Sequence, residues 1–346
     1  MAYVAAAVSP GELQARLDRL PRVRLANLPT SLDEAPNLSR ALGGPRIFIK
    51  REDLTGLAFG GNKTRILEFT IAEAIRRGAD TIVACAFAQS NHCRQAAAAA
   101  ARLGLRAVLV LGRGEKADQV QGNLLLDDLL GAEIVRVDAD TLEGIAARAA
   151  EVTQALNTQG RRAIQVVLTP WATTLAAAAY VGCALELDEQ CRRAGISPKH
   201  VVVASSGGTQ AGLVLGSLAL SRLWTVAGYT PIARPERRER VAAVVNDAAH
   251  LLDLEVHVTA EDIVNEESEL GPGYGKLTDG ALEAIRLVAR TEGILLDPVY
   301  TAKAMSGLIR QVRAGAFQPE DSVVFVHTGG TPALFAYAAE LATTQS

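Results

Sequence analysis

Aromatic residues make up only 4% of this chain of 346 residues, with two tryptophans and two methionines. That scarcity argues against an aromatic-anchored recognition surface. Excess charge of either sign is also missing: the formal net charge is -3, and no basic run carries interleaved aromatics. Nucleic acid is therefore not an expected partner. Paired cysteine spacing is absent as well. Cys85, Cys93, Cys183 and Cys191 form no CxxC unit, so free, mostly buried thiols are expected rather than a zinc or redox site. No uncharged stretch approaches the roughly 18–20 residues of a membrane span. The N-terminal segment has no basic leader and soon becomes charged and amphipathic, so the expectation is a soluble, cytoplasmic protein.

What the chain does have is apolar content of 49%, much of it Ala, Leu and Val, at a length that suits two α/β domains. From about residue 80, short β-branched runs alternate with longer periodic ones. TIVACAF (81–87), AVLVL (107–111), EIVRV (133–137), IQVVL (164–168), HVVVA (200–204), WTVAGYT (224–230) and SVVFVH (322–327) read as strands. Between them, helices are expected over 91–103, through QVQGNLLLDDLLG and after Thr174 and Thr209, with a terminal helix after the last strand. This is the rhythm of parallel sheets.

Five segments could carry chemistry. FGGNKTRILEF (59–69) delivers Lys63 to the first turn of a helix, where a cation opposes the helix dipole. A lysine amine can condense with an aldehyde and move a proton, although Gly-Gly-Asn alone also reads as a plain turn and N-cap. VVVASSGGTQAGL (201–213) runs a strand into Ser206, Gly207, Gly208 and Thr209 and then a helix, which makes an anion site; a capped strand-to-helix turn is the plainer reading. FAQSNHCRQ (87–95) places polar residues at the carboxyl end of a strand, where open parallel sheets bind ligands. His92 there has no companion at metal-ligand spacing, so no metal is expected. GPGYG (271–275) with LLDPVYTAKAM (295–305), and VFVHTGGTPALF (324–335), set Tyr or Thr beside glycine and proline turns.

Taken in order, Leu28-Pro29-Thr30, KRED (50–53), GGNKTR (60–65), QSNH (89–92), GGTQAG (207–212), DPVY (297–300) and HTGG (327–330) resemble the D-cysteine desulfhydrase and 1-aminocyclopropane-1-carboxylate deaminase family. These are fold-type-II pyridoxal-phosphate enzymes, a family that also includes L-cysteate sulfo-lyase-like members. The resemblance spans nearly the whole chain. It implies an α/β fold of two open twisted-sheet domains, tryptophan-synthase-β-like, with pyridoxal 5'-phosphate in the cleft between them. The large domain would take residues 1–64 and 173–346, and the small one 65–172. It further implies that Lys63 holds the cofactor as a Schiff base and moves the α-proton. Asn91 would meet the cofactor's 3-oxygen, Ser206, Gly207, Gly208, Thr209 and Gln210 its phosphate, and Thr328 its pyridine nitrogen. Ser90, Asn91, His92, Tyr274 and Tyr300 would face a small amino-acid substrate, with Ser90, Tyr274 and Tyr300 catalytic beside Lys63, and a homodimer is expected.

Three positions depart from the family pattern. The deaminases carry a glutamate after the DPVY tyrosine, at the pyridine nitrogen, where this chain has Thr301. Ile66 replaces a lysine that assists the phosphate. A glycine-rich stretch near the substrate carboxylate is replaced by Leu168 to Thr174, with Trp171 expected to wall the substrate pocket. The resulting expectation is an α,β-elimination on a small β-substituted amino acid, giving pyruvate, ammonia and the leaving group. β-Replacement and 1-aminocyclopropane-1-carboxylate deamination are the alternatives, and a non-catalytic ligand-binding relative is the alternative of another class.

Overall fold

The computed structural model describes residues 3–4, 7–205, 207–222 and 224–342. Its first half runs β1 (Tyr3–Val4), α1 (Pro10–Leu17), β2 (Leu32–Glu34), α2 (Pro36–Leu42), β3 (Arg46–Lys50), α3 (Asn62–Arg76), β4 (Thr81–Phe87), α4 (Asn91–Leu103), β5 (Arg106–Gly112), α5 (Asn123–Leu129), β6 (Glu133–Arg136), α6 (Leu142–Thr158) and β7 (Ala163–Gln165). The second half runs α7 (Pro170–Ala194), β8 (His200–Val203), α8 (Gly208–Ala219), β9 (Thr225–Tyr229), α9 (Arg237–Leu251), β10 (Val256–His257), β11 (Val264–Glu266), α10 (Asp279–Glu292), α11 (Thr301–Arg313), β12 (Ser322–Val326), α12 (Ala333–Ala336) and α13 (Ala338–Leu341).

Besides the two-stranded antiparallel pair β1–β10, two larger sheets organise these elements. The smaller has the order β6-β5-β4-β7, all parallel. The larger has the order β11-β9-β8-β12-β3-β2, parallel except for the antiparallel edge pair β2–β3. Each sheet is buried on both faces, which is why its strands read as continuous apolar runs rather than alternating ones. In β4, Ile82 and Ala84 enter one core cluster, while Val83, Cys85 and Phe87 enter the opposite one. In β12, Val324 and Val326 face one side and Val323 and Phe325 the other.

Where the reading from sequence differs, the reasons are local. The strand expected over 164–168 ends at Gln165, because Leu168 takes φ 57° and Pro170 opens α7 at its first turn. The helix expected through 119–131 begins only after Gly122, and the terminal helix is two short turns. Helix α8 packs unusually close on α7. A Cβ at Gly208, Gly212 or Gly216 would come within 2.6 Å of Ala176, 2.2 Å of Ala177 or 2.3 Å of Ala184. The glycines four residues apart make one stripe of α8 and so fix where its N-terminus points.

Trp171 lies away from the expected pocket wall. Its indole is half-buried, packs against the core clusters of both sheets, and carries the Arg77 guanidinium 4.5 Å above the ring centroid. The ring ties the two cores together because the first turn of α7 crosses between them. Trp171→Ala is accordingly expected to cost about 3 kcal/mol of stability while leaving cofactor content and substrate ranking unchanged. Denaturant titration beside a substrate panel checks this, and an altered ranking at unchanged stability would return Trp171 to the pocket.

Candidate active site

A cavity of about 320 Å³ opens between the two sheets. Its walls come from the carboxyl ends of parallel strands: Ser90, Asn91 and His92 after β4, Val166 to Leu168 after β7, Gly207 to Thr209 after β8, Pro231 and Arg234 after β9, and Thr328 after β12. That is where α/β sheets bind ligands. Lys63, Ile66 and Tyr300 also line it.

Lys63 reaches the cavity because of a strained approach to α3. Gly60 and Gly61 sit at φ 62° and 118°, and a Cβ on Gly60 would stand 2.2 Å from the Asp53 carbonyl oxygen. Only glycine fits such a path. The Thr55 hydroxyl clamps Gly61, accepting its N–H at 2.8 Å and donating to its carbonyl at 2.9 Å. The Thr64 N–H and hydroxyl both donate to Gln95 Oε1, at 2.6 and 2.7 Å, which caps the start of α3. Lys63 itself has no hydrogen-bond or ion-pair partner among the described residues. Burial pushes its ammonium down to about 8, so a reactive amine is available near neutral pH. His92 faces it: burial first, and the Lys63 charge second, hold the imidazole well below its usual range. His92 Nε2 is buried without a partner among the described residues.

On the opposite wall, Ser90 caps α4, its Oγ accepting from the N–H groups of His92 at 3.1 Å and Cys93 at 3.2 Å. With both lone pairs engaged, its hydroxyl proton is what it retains for another partner. At α8, Ser205 Oγ accepts weakly from the N–H groups of Gly207 and Gln210, each at 3.3 Å. The first-turn N–H groups of Gly208 and Thr209 have no intrahelical partner, and the helix dipole adds to their pull on an anion. Asn62 Nδ2 donates to the Thr209 hydroxyl at 3.0 Å, tying the lysine loop to this glycine turn. Ser206 lies outside the described residues.

Other expected site residues stand behind the wall. The amide of Gln210 is buried and donates to the Val264 carbonyl at 2.7 Å while accepting from Asn265 at 2.8 Å, so its side chain braces the turn. Tyr274 does not line the cavity: its hydroxyl meets that of Tyr300 at 2.5 Å, and its ring packs on Phe87. Burial raises both phenols, so both stay protonated. Thr301, expected at the pyridine nitrogen, is fully buried and donates its hydroxyl to Asp297 Oδ1 at 2.7 Å. The Asp297 carboxylate also accepts the N–H groups of Val299, Tyr300 and Thr301, which builds the turn that presents Tyr300. Arg234 and Leu142 line the cavity without any motif to mark them, whereas Thr173 comes from the altered Leu168 to Thr174 segment. Arg234 pairs with Glu143 at 3.1 Å across the mouth.

No aspartate or glutamate is among the described lining residues, whereas Lys63 and Arg234 are. A free amine, open first-turn N–H groups at a glycine turn and an unpartnered imidazole suit a flat aldehyde that carries a phosphate, and the residues present fit pyridoxal 5'-phosphate. The donor set contains no group of three or more metal-ligating side chains among the described residues.

Comparison with known proteins agrees with this geometry. The family model described as "Pyridoxal-phosphate dependent enzyme" matches residues 23–329. A D-cysteine desulfhydrase of Klebsiella pneumoniae subsp. pneumoniae is 42% identical over 327 residues, covering 93% of this chain and 97% of that protein. A 1-aminocyclopropane-1-carboxylate deaminase of Burkholderia vietnamiensis is 41% identical over 331 residues, covering 93% and 98%. A crystal structure of an "ACC deaminase homologue" superposes with a TM-score of 0.87 at 34% identity, covering 95% of this chain and 98% of that one. The chain belongs to the pyridoxal-phosphate dependent enzymes.

Proposed function

We propose that this enzyme removes the β-substituent of a small β-substituted amino acid, as a D-cysteine desulfhydrase-like lyase. The observation that carries the reading is Lys63: an amine with no partner among the described residues, lowered to about 8, facing Ser90 to His92 across a cleft with no carboxylate in its described lining. Bound pyridoxal phosphate supplies the electron sink for bond cleavage at the α-carbon. Lys63 Nζ would hold the cofactor and, once free, would take the α-proton. The Cβ–X bond breaks with its electron pair leaving on X, and the released enamine takes up water to give pyruvate and ammonia. The Ser90 hydroxyl and the Asn91 side chain orient the substrate and cofactor, while the first turn of α8 holds the phosphate. Tyr300 offers its phenol to the substrate side and Tyr274 fixes its direction. Thr328 borders the place of the pyridine nitrogen, and with no carboxylate among the described lining residues the opening of an unactivated cyclopropane is disfavoured. Units of 65–172 and of the remainder, a homodimer and a cytoplasmic location complete the reading.

A panel of β-substituted D- and L-amino acids tests it. Equal amounts of pyruvate and ammonia are expected from at least one member, with little 2-oxobutanoate from 1-aminocyclopropane-1-carboxylate. If no amino acid yields a keto acid or shifts the visible absorbance, the protein is a ligand-binding relative instead.

The amine also sets a pH dependence for loading the apoenzyme. Only neutral Lys63 attacks an aldehyde, so the rate should rise about tenfold per pH unit below pH about 8 and level off above it. Stopped-flow mixing of apoenzyme with pyridoxal phosphate measures this. A rate still climbing at pH 10 would show an ordinary solvated lysine.

A further inference from the structure

We infer that Asn123 and Arg94 are positioning residues that fix which end of the Asn91 amide faces the cofactor; this rests on the reading that Asn91 meets the cofactor's 3-oxygen. The polarity is settled at the far end of a buried chain. Arg94 is fully buried and has only donors. Its Nε donates to Asn123 Oδ1 at 3.2 Å, so that atom of Asn123 must be the oxygen. Asn123 Nδ2 then donates to the Gln89 carbonyl at 2.9 Å and to Asn91 Oδ1 at 2.9 Å. With its oxygen held from behind, Asn91 is left with its NH₂ group, which has no protein partner among the described residues, on a side chain that lines the cavity. The cleft is thereby given a donor, matched to an anionic oxygen, instead of an acceptor that would repel it.

The same arginine reaches the lysine loop. Arg94 Nη1 donates to the Gly60 carbonyl at 2.9 Å and to that of Ala58, three and five residues before Lys63. Asn123 is further locked by its own N–H, which donates to Gln89 Oε1 at 3.0 Å. One buried cation therefore sets both the path of the loop that delivers the amine and the direction of the amide opposite it.

Asn123→Asp is the decisive variant. It keeps the acceptor for Arg94 but offers Asn91 only an acceptor, so the Asn91 amide turns over and presents its oxygen to the cleft. Loaded holoenzyme should lose pyridoxal phosphate on dialysis at least about tenfold faster, the scale of one hydrogen bond to a charged group. Its visible band should move in the same direction as that of Asn91→Ala. In the double variant with Asn91→Ala, Asn123→Asp should add nothing, because it acts through Asn91. If Asn123→Asp does not fold, Asn123→Ala serves, with the same non-additivity expected. A wild-type band and dissociation rate in the Asn123 variants, while Asn91→Ala changes both, would overturn the relay. If Asn91→Ala itself changes neither, the placement of Asn91 against the cofactor fails and the relay with it.

Discussion

Lys63→Ala should abolish turnover, with activity down by at least about four orders of magnitude, because the covalent anchor and the base for the α-proton disappear together. The loaded variant should also lack the visible band of the wild type, and the protein should remain folded. Lys63 is half-buried and has no partner among the described residues, so its removal leaves no orphaned charge there and relieves a desolvated ammonium. Circular dichroism and thermal melting separate the loss of chemistry from any loss of fold. Normal activity with normal visible absorbance would remove Lys63 from its assigned role.

Arg65→Met is expected to be the most destabilising of the substitutions considered, at about 3–5 kcal/mol. Arg65, near the start of α3, is buried and donates to Glu52 through Nε at 2.8 Å and Nη2 at 2.7 Å. It also reaches both oxygens of Glu186 at 2.9 Å. Glu52 is fully buried and accepts in addition from Thr30 at 2.7 Å and Tyr180 at 2.8 Å. Burial pushes its carboxyl up, but Arg65, Lys50 and the Thr30 bond outweigh this and leave it at about 2. A carboxyl depressed in the folded state contributes stability that is present above about pH 4.5 and lost as pH falls towards 2. Removing Arg65 strands a buried carboxylate. The double variant Arg65→Met with Glu52→Gln should recover part of the loss, since the stranded charge goes with it. Urea titration at pH 7 checks both steps, and an Arg65→Met loss below about 1 kcal/mol would show the network to be dispensable.

This network explains how motifs were legible while their parts were not. Leu28-Pro29-Thr30, KRED and GGNKTR stand out in the sequence, but Thr30, Lys50, Glu52 and Arg65 form a scaffold, with Lys50 donating to the Thr30 carbonyl, Glu186 and Gln190. Among the described residues of these segments, Asn62 and Lys63 line the cleft, and Asn62 commits its Nδ2 to Thr209. Strand β4 and helix α4 could be placed from sequence to the residue, because apolar runs buried on both faces and a serine cap are local signals. The antiparallel edge strand β2 gave no such signal: it is three residues long with only partial burial. Its neighbour β3 is buried at four of five positions but carries charged residues at both ends. Trp171 was misplaced because a residue type indicates size and not direction: α7 starts at Pro170, before the Thr174 of the sequence reading, and turns the indole towards Arg77. Thr301 was assigned to the cofactor by its place after Tyr300, whereas the turn built on Asp297 claims its hydroxyl. Arg234 and the Asn123–Arg94 relay depend on contacts distant in sequence, and no pattern in one chain announces them.

The measurement that tests the account most directly is chemical trapping of the cofactor. Holoenzyme loaded with pyridoxal 5'-phosphate is reduced with borohydride, digested, and mapped by mass spectrometry. The account predicts a single phosphopyridoxyl adduct, on the peptide that contains Lys63. Its loss in Lys63→Ala, with no transfer to another lysine, would complete the result. An adduct on a different lysine of the wild-type protein, or none at all from a preparation that carries the cofactor, would contradict it.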